Sequence, residues 1–364
     1  MNEVSDKKLA QLNTLMELTA LVNSTLDTHE VRKRAIEAAT RLVNAEAGSL
    51  ILADKENNEL FFEVALGDKG EKVKEIRLKK GEGIAGWVAE KGKPVIVHDV
   101  QSDPRFFRGA DDRSEFFTRD MICVPVKTKE EILGVLQTIN KKAGNFDNED
   151  MEILCALANQ VAVAIENANL YQELKDTFYG TAQALAETIE KRDPYTGGHT
   201  KRVMNYSLAI GRMLGLNRAE LEKLKLSAIL HDIGKIGVRD SVLLKDGKLE
   251  AGEVEAMNLH PKYGSEILSH VKQLKDVIPG MRGHHEKYDG TGYPDGLKDN
   301  DIPLAARIIA VADTFDAMTT DRPYRKARTA DEAFDELKKH AGRQFDPLVV
   351  DAFLKAWKEM EIVL

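Results

Sequence analysis

A chain of 364 residues is long for one domain and suits two, at roughly 150 residues each. With 43% hydrophobic and 31% charged residues, it has the composition of a globular protein able to fill two cores. A net charge of -8 argues against a dedicated nucleic-acid binder, and two cysteines, Cys123 and Cys155, allow neither a disulfide framework nor a four-cysteine zinc site.

The N-terminus, MNEVSDKKLAQLN, lacks the apolar core of a signal peptide, and no apolar run reaches the ~18–20 residues that span a bilayer. The expectation is a cytoplasmic protein without membrane contact. Residues 8–26 place apolar side chains at three- and four-residue intervals, which predicts an amphipathic helix, and a second helix follows over about 29–45. The pattern then turns to short strand-like runs: AGSLILAD, ELFFEVAL, KPVIVHDV, DMICVPVK and EILGVLQTIN, with a short helix around GIAGWVAE. Helices, then five or six strands, then a long helix describe an α+β sensory-type domain over residues 1–150.

From 148 to 191 there is no proline and a single glycine, Gly180, which predicts one long connecting helix. A strict 3-4 spacing runs through Leu154, Leu157, Val161, Ala164, Ala168, Tyr171, Lys175, Phe178, Ala182, Leu185 and Ile189, and only Lys175 is polar. Such a seam predicts a supercoiled parallel homodimer, with a single helix packed on its own domains as the alternative. Residues 192–364 read as an all-α domain, with helical periodicity almost throughout and seven of the nine histidines.

That half holds His199, the pair His231-Asp232, His260, the pair His284-His285, and Asp313. Imidazole and carboxylate are the donors that borderline divalent metals prefer. His231-Asp232 closes the apolar run LKLSAIL, and Asp313 lies within ARIIAVADTFDAM, where ionisable groups are costly without partners. His284-His285 stand beside the glycine-rich GTGYPDG, where backbone can approach a ligand closely. One metal with four ligands would leave several of the seven unused; two metals bridged by an aspartate use them better and suit in-line phosphoryl chemistry. Lys235, three residues after Asp232, can reach the same place and serve catalysis by neutralising charge or donating a proton. His29, His98, His270 and His340 read as cap, strand-end and exposed-helix residues.

HDIGK resembles the H-D-x-x-K motif of the HD phosphohydrolases, and RDPYTGGHTKRV, HHEKYDGTGYPDGL and ADTFDAMTTDRPYRKA together resemble the HD-GYP family of cyclic di-GMP phosphodiesterases. The resemblance implies an all-α helical bundle in which His199, His231, Asp232, His260, His284, His285 and Asp313 bind two divalent metals, with Asp232 as the bridge and iron or manganese as the family's usual ions. It implies that Lys235 assists the reaction, that Tyr293 contacts a guanine base or the sugar-phosphate, and that Arg322 and Arg325 hold phosphates. Family members often carry lysine where this chain has Arg325, with Lys326 following. Asp193 and Asp316 are candidates for orienting a ligand or Lys235, or for a helix cap and a surface carboxylate. Some members bind a third metal through a glutamate four residues before the first histidine; here that residue is Tyr195, which favours two metals, with Glu190 or Asp193 as alternative recruiters of a third.

GEGIAGWVAEKGKPVIVHDVQSDPRF, MICVPVK and GVLQTINKKAGNFDNEDMEIL resemble the GAF family of small-molecule sensors, which implies an antiparallel sheet flanked by helices. Some cyclic-nucleotide-binding members carry an N-K…F-x-x-x-D-E motif, and this chain has Asn140, Lys141, Phe146 and Asp150, with Met151 in place of the final glutamate. These four would touch a ligand or pin a loop. The expected function is GAF-regulated hydrolysis of cyclic di-GMP to pGpG and onward to GMP. The alternatives are another cyclic dinucleotide or nucleotide as substrate, or a cyclic di-GMP receptor whose turnover is incidental.

Overall fold

The computed structural model describes residues 2–54, 56–66, 76–114, 116–192, 197–321 and 326–360. It divides into two compact units, Met1–Lys175 and Asp176–Leu364. In the first unit, helix α1 (Asn2–Val22) and helix α2 (Thr28–Leu42) precede the sheet. Asp27 starts α2 by accepting the backbone N–H groups of His29 and Glu30, each at 3.1 Å, which satisfies two of the donors left open at a helix start.

The sheet contains β1 (Ala45–Asp54), β2 (Glu59–Leu66), β3 (Arg77–Lys79), β4 (Val95–Val97), β5 (Met121–Lys127) and β6 (Ile132–Lys141). Their order is β3-β2-β1-β6-β5-β4, with every neighbouring pair antiparallel. Helix α3 (Gly83–Lys91) and helix α4 (Gly109–Ser114) lie between strands in sequence, and α5 (Asn148–Arg192) follows β6. Successive strand residues face opposite sides. Leu50, Leu52, Ile122, Val124 and Leu136 enter a core with α1, α2 and α5, while Ile51, Cys123 and Val135 enter a second core with α3. Both faces are covered, which is why these strands read as continuous apolar runs. The α+β fold is as the sequence indicates; β3 and α4 are short additions that carry little apolar signal.

Helix α5 is one continuous element of 45 residues. Its dimer seam needs correction. Leu154, Leu157, Val161, Ala164 and Ala168 are at most 3% exposed inside the first unit's core. Ala182 and Ile189 are buried in the second unit's core. Most of the 3-4 repeat is thus spent on packing within the chain, since one helix stripe serves a domain core as well as a partner helix. Two seam positions, Tyr171 and Leu185, stay exposed, as do Val163, Leu170 and Leu174 outside the seam. The helix also holds an 18-residue stretch of mean hydropathy 1.3, longer than the sequence reading allowed for; Leu154, Leu157 and Val161 explain it as core residues.

The second unit is all-α: α6 (His199–Met213), α7 (Arg218–Ile229), α8 (Asp240–Leu243), α9 (Ala251–Met257), α10 (His260–Ser269), α11 (Ile278–Arg282), α12 (Leu304–Thr319), α13 (Ala330–Lys339) and α14 (Pro347–Met360). A tight 3-10 turn, Ile233–Gly237, follows α7. One core joins α6, α7, α12, α13 and α14 around Phe315, Phe334 and Phe353. Another joins the end of α5 to α7, α10 and α11 through Ile189, Ile229, Leu268 and Met281. Between them these cores fix the helix ends that carry the histidines.

Candidate metal centre

Every one of the seven predicted donors sits at or near a helix end or on α12. His199 opens α6 and His260 opens α10, His231 and Asp232 follow α7, His284 and His285 follow α11, and Asp313 lies on α12. The donors converge in two groups: Asp232, His260, His284 and His285 in one, and His199, His231 and Asp313 in the other, with donor atoms in each group within 4.8 Å of one another.

Asp232 faces both groups. Its Oδ1 is 3.3 Å from His260 Nε2, and its Oδ2 is 3.4 Å from His231 Nε2 and 2.7 Å from Lys235 Nζ. His199 Nε2 lies 3.4 Å from Asp313 Oδ1.

The ring tautomers follow from the partners of the other nitrogens. His231 Nδ1 donates to the Ala228 carbonyl at 2.7 Å, His260 Nδ1 to that of Met257 at 2.8 Å, and His284 Nδ1 to that of Met281. A carbonyl oxygen only accepts, so Nδ1 carries the proton and the neutral ring keeps a lone pair on Nε2. These Nε2 atoms point at one another: His199 to His231 at 3.3 Å and His260 to His284 at 3.5 Å. Lone pairs converging at such distances in a buried site require a proton or a cation between them. The donor set therefore fits divalent metals, and it contains no thiolate.

The electrostatics agree. Burial opposes ionisation of Asp232, yet the Lys235 ammonium beside it holds its carboxyl well below the usual range. Burial pushes the pKa of His231 down, that of His284 well down, and that of His285 to about 3, so these rings stay neutral and free to ligate. His199 differs: burial lowers it, but the hydrogen bond to Asp316 and the charges of Asp313 and Asp232 raise it on balance.

Asp316 is 1% exposed, so the surface-carboxylate alternative is excluded. It accepts from His199 Nδ1 at 2.7 Å and from the Arg202 guanidinium, with Nη2 at 3.1 Å. Arg202 is a residue the sequence reading missed, although its spacing gave a signal: Arg202 follows His199 by three residues as Asp316 follows Asp313, one turn along each helix. Asp316→Ala is expected to lower metal affinity in the His199 group about 10–100-fold and to spare the group containing His260. Chelator competition followed by metal analysis measures this; equal loss from both groups would assign Asp316 to the fold as a whole.

Tyr293 stacks on His285, with ring centroids 4.9 Å apart at 29°. Burial raises its phenol pKa, so the hydroxyl remains a neutral donor. The loop around it depends on a second missed residue, Glu286, 3% exposed, which accepts the backbone N–H groups of Asp295, Gly296 and Leu297. Its partners are nine to eleven residues downstream, so no local pattern reveals them. Arg322, Arg325, Asp193 and Tyr195 lie outside the described residues.

The GAF-motif residues are engaged within their own domain. Asn140, 3% exposed, accepts from Arg119 N at 2.8 Å and donates to the Phe117 carbonyl and Glu46. Lys141 pairs with Asp150 and lies over the Phe146 ring, and Phe146 belongs to the core. These contacts account for all four residues by loop and core packing.

Comparison with known proteins gives two domain matches: residues 25–166 fit the GAF domain family and residues 183–349 the HD domain family. The chain is 30% identical over 360 residues to 3'3'-cGAMP-specific phosphodiesterase 2 of Vibrio cholerae, covering 98% of this chain and 66% of that protein. It is 41% identical over 206 residues to the cyclic di-GMP phosphodiesterase response regulator RpfG of Xanthomonas campestris, covering 56% and 54%. To a cyclic di-GMP phosphodiesterase of Thermotoga maritima it is 37% identical over 241 residues, covering 60% and 65%. The chain thus spans between about half and two thirds of the length of these relatives.

Proposed function

The chain belongs to the HD-GYP family, with a GAF domain ahead of its HD domain, and on that premise we propose that it hydrolyses a phosphodiester bond of cyclic di-GMP. The observation that carries the reading is Asp232, whose two oxygens face the two groups of metal donors at 3.3 and 3.4 Å. His199, His231 and Asp313 would hold one divalent cation, His260, His284 and His285 the other, and Asp232 both. Bound there, the cations would supply Lewis-acid polarisation of the phosphoryl group and a lowered pKa for water. Nitrogen and carboxylate donors suit iron or manganese.

The chain's own groups do the remaining work. Lys235 keeps a positive charge and a proton beside Asp232, at 2.7 Å, for the departing 3′ oxygen. Tyr293, flat against His285, offers a ring face and a neutral hydroxyl to a base or ribose. The four buried histidines and their apolar neighbours limit water around the reacting phosphate. The first product is the linear pGpG, with slower cleavage to GMP. The complete ligand set with Lys235 favours an enzyme over a receptor with incidental turnover.

The name of the Vibrio relative matched over 98% of this chain favours a second reading, 3'3'-cGAMP as substrate. Both substrates test the proposal. Protein purified without oxygen is assayed for metal content and for products from cyclic di-GMP, 3'3'-cGAMP and p-nitrophenyl phosphate. Cyclic di-GMP turned over fastest, with pGpG appearing first, supports the main reading; faster 3'3'-cGAMP turnover selects the second, and turnover of the monoester alone overturns both.

We further read the GAF domain as the regulator of this reaction and the chain as a homodimer. The dimer is assigned to the apolar residues that α5 leaves exposed, Val163, Leu170 and Leu174, spaced by seven and four residues as in a helix-pairing face. The doubly substituted Leu170→Glu, Leu174→Glu chain is expected to run as a monomer in light scattering with its metal retained. An unchanged dimer would place the interface elsewhere.

A further inference from the structure

The last turn of α5 grips two of the segments that carry the metal centre, through two residues outside the ligand set. Arg192 ends the helix. Its Nη1 donates to the carbonyl oxygens of Lys235 and Ile236 at 3.4 and 3.1 Å, and its Nη2 to that of Val238 at 3.0 Å. Nε and Nη2 also meet Asp240 Oδ1 at 2.9 and 2.6 Å. Two residues earlier, Glu190 accepts the backbone N–H of Thr200, the neighbour of His199.

The three carbonyls belong to the 3-10 turn Ile233–Gly237 and the residue after it. The Lys235 carbonyl also accepts the Val238 N–H, carbonyls past the end of such a turn lack a donor from within it, and a forked cation can hold several at once. The same turn carries Lys235 and directly follows Asp232. Its conformation therefore sets where the Lys235 ammonium lies relative to Asp232.

We propose that Arg192 is a positioning residue: its guanidinium fixes the backbone of residues 235–238 and so aims Lys235. What Lys235 does there rests on the phosphodiesterase reading; how its segment is held does not. Arginine is specifically suited, because one lysine ammonium cannot reach the Asp240 carboxylate and three separate carbonyls from a single position. Alanine removes these ties and leaves the turn its packing on α10 and its own hydrogen bonds, among them Lys235 N–H to Asp232 O at 2.9 Å and Val238 N–H to Lys235 O at 3.1 Å.

The test uses the full-length, metal-loaded chain with Arg192→Ala and Arg192→Lys. Hydrogen exchange by mass spectrometry, metal content, and kcat and KM on the cyclic dinucleotide are measured on each. Arg192→Ala is expected to exchange faster within 233–240 while keeping its metal and a KM within about threefold. Its kcat should fall about 10–100-fold, the cost of misplacing a catalytic group by about an ångström, and Arg192→Lys should recover only part of it. Unchanged exchange in 233–240, a defect confined to KM, or metal lost in step with activity would each overturn the assignment. A wild-type chain that hydrolyses no cyclic dinucleotide would sink the phosphodiesterase reading instead, and the exchange pattern would still decide whether Arg192 holds the turn.

Discussion

Asp232→Ala is expected to abolish turnover and deplete metal from both donor groups together. The two Asp232 oxygens face the two groups: Oδ1 looks to His260 and Oδ2 to His231 and Lys235. Removing the carboxylate takes a ligand from each group and also takes the anion that the Lys235 ammonium pairs with. The loss should be on the order of 10³-fold or more in kcat, since a two-metal site works as a unit and its members are strongly non-additive. Asp232→Asn separates charge from shape. It keeps the size of the side chain and one oxygen, so retention of one metal with little activity is the expected intermediate result. Near-normal metal content and rate in Asp232→Ala, read by elemental analysis and product chromatography, would dismiss the bridging role.

How much of this was legible in the sequence depended on the range of the interactions. The seven donors stood out because histidine and aspartate at the edges of apolar helical runs demand partners, and HDIGK places Lys235 one turn from Asp232. The strands showed as apolar runs because the sheet is covered on both faces. Sorting the donors into His199–His231–Asp313 and Asp232–His260–His284–His285 was not legible, since it depends on how α6, α7, α10 and α12 cross. Nor was the direction of the α5 stripe: Leu154 to Ala168 satisfy a domain core and a coiled coil by the same spacing, and only the surrounding strands and helices decide. Arg192 and Glu286 were invisible for another reason. Each acts on backbone groups far along the chain, and a carbonyl or N–H carries no sequence label.

Gly234→Ala should be the most damaging substitution at a position that touches neither metal nor substrate. A Cβ added at Gly234 would lie 1.8 Å from the His260 carbonyl oxygen and 2.4 Å from the Gly264 backbone nitrogen. Both are main-chain atoms of α10, so no side-chain rotation relieves the clash. Either α10 or the 3-10 turn must retreat. These are the segments that bring His260 Nε2 to 3.3 Å from Asp232 Oδ1, so the retreat opens the donor group at its bridge. Overpacking of this kind costs about 1–3 kcal/mol or more, which in a unit of this size is a fall of roughly 2–12 °C in Tm. Metal should leave the group containing His260 before the group containing His199. Gly180 provides the opposite sign: it lies in α5 with nothing within 4 Å of an added Cβ. Gly180→Ala should therefore stabilise the helix by about 0.5–1 kcal/mol and leave metal content unchanged. Thermal melts with metal analysis on both variants decide the matter. A Gly234→Ala chain that keeps its Tm and both metals would mean that α10 can withdraw from the turn at no cost, and that the close approach at Gly234 does not hold the centre together.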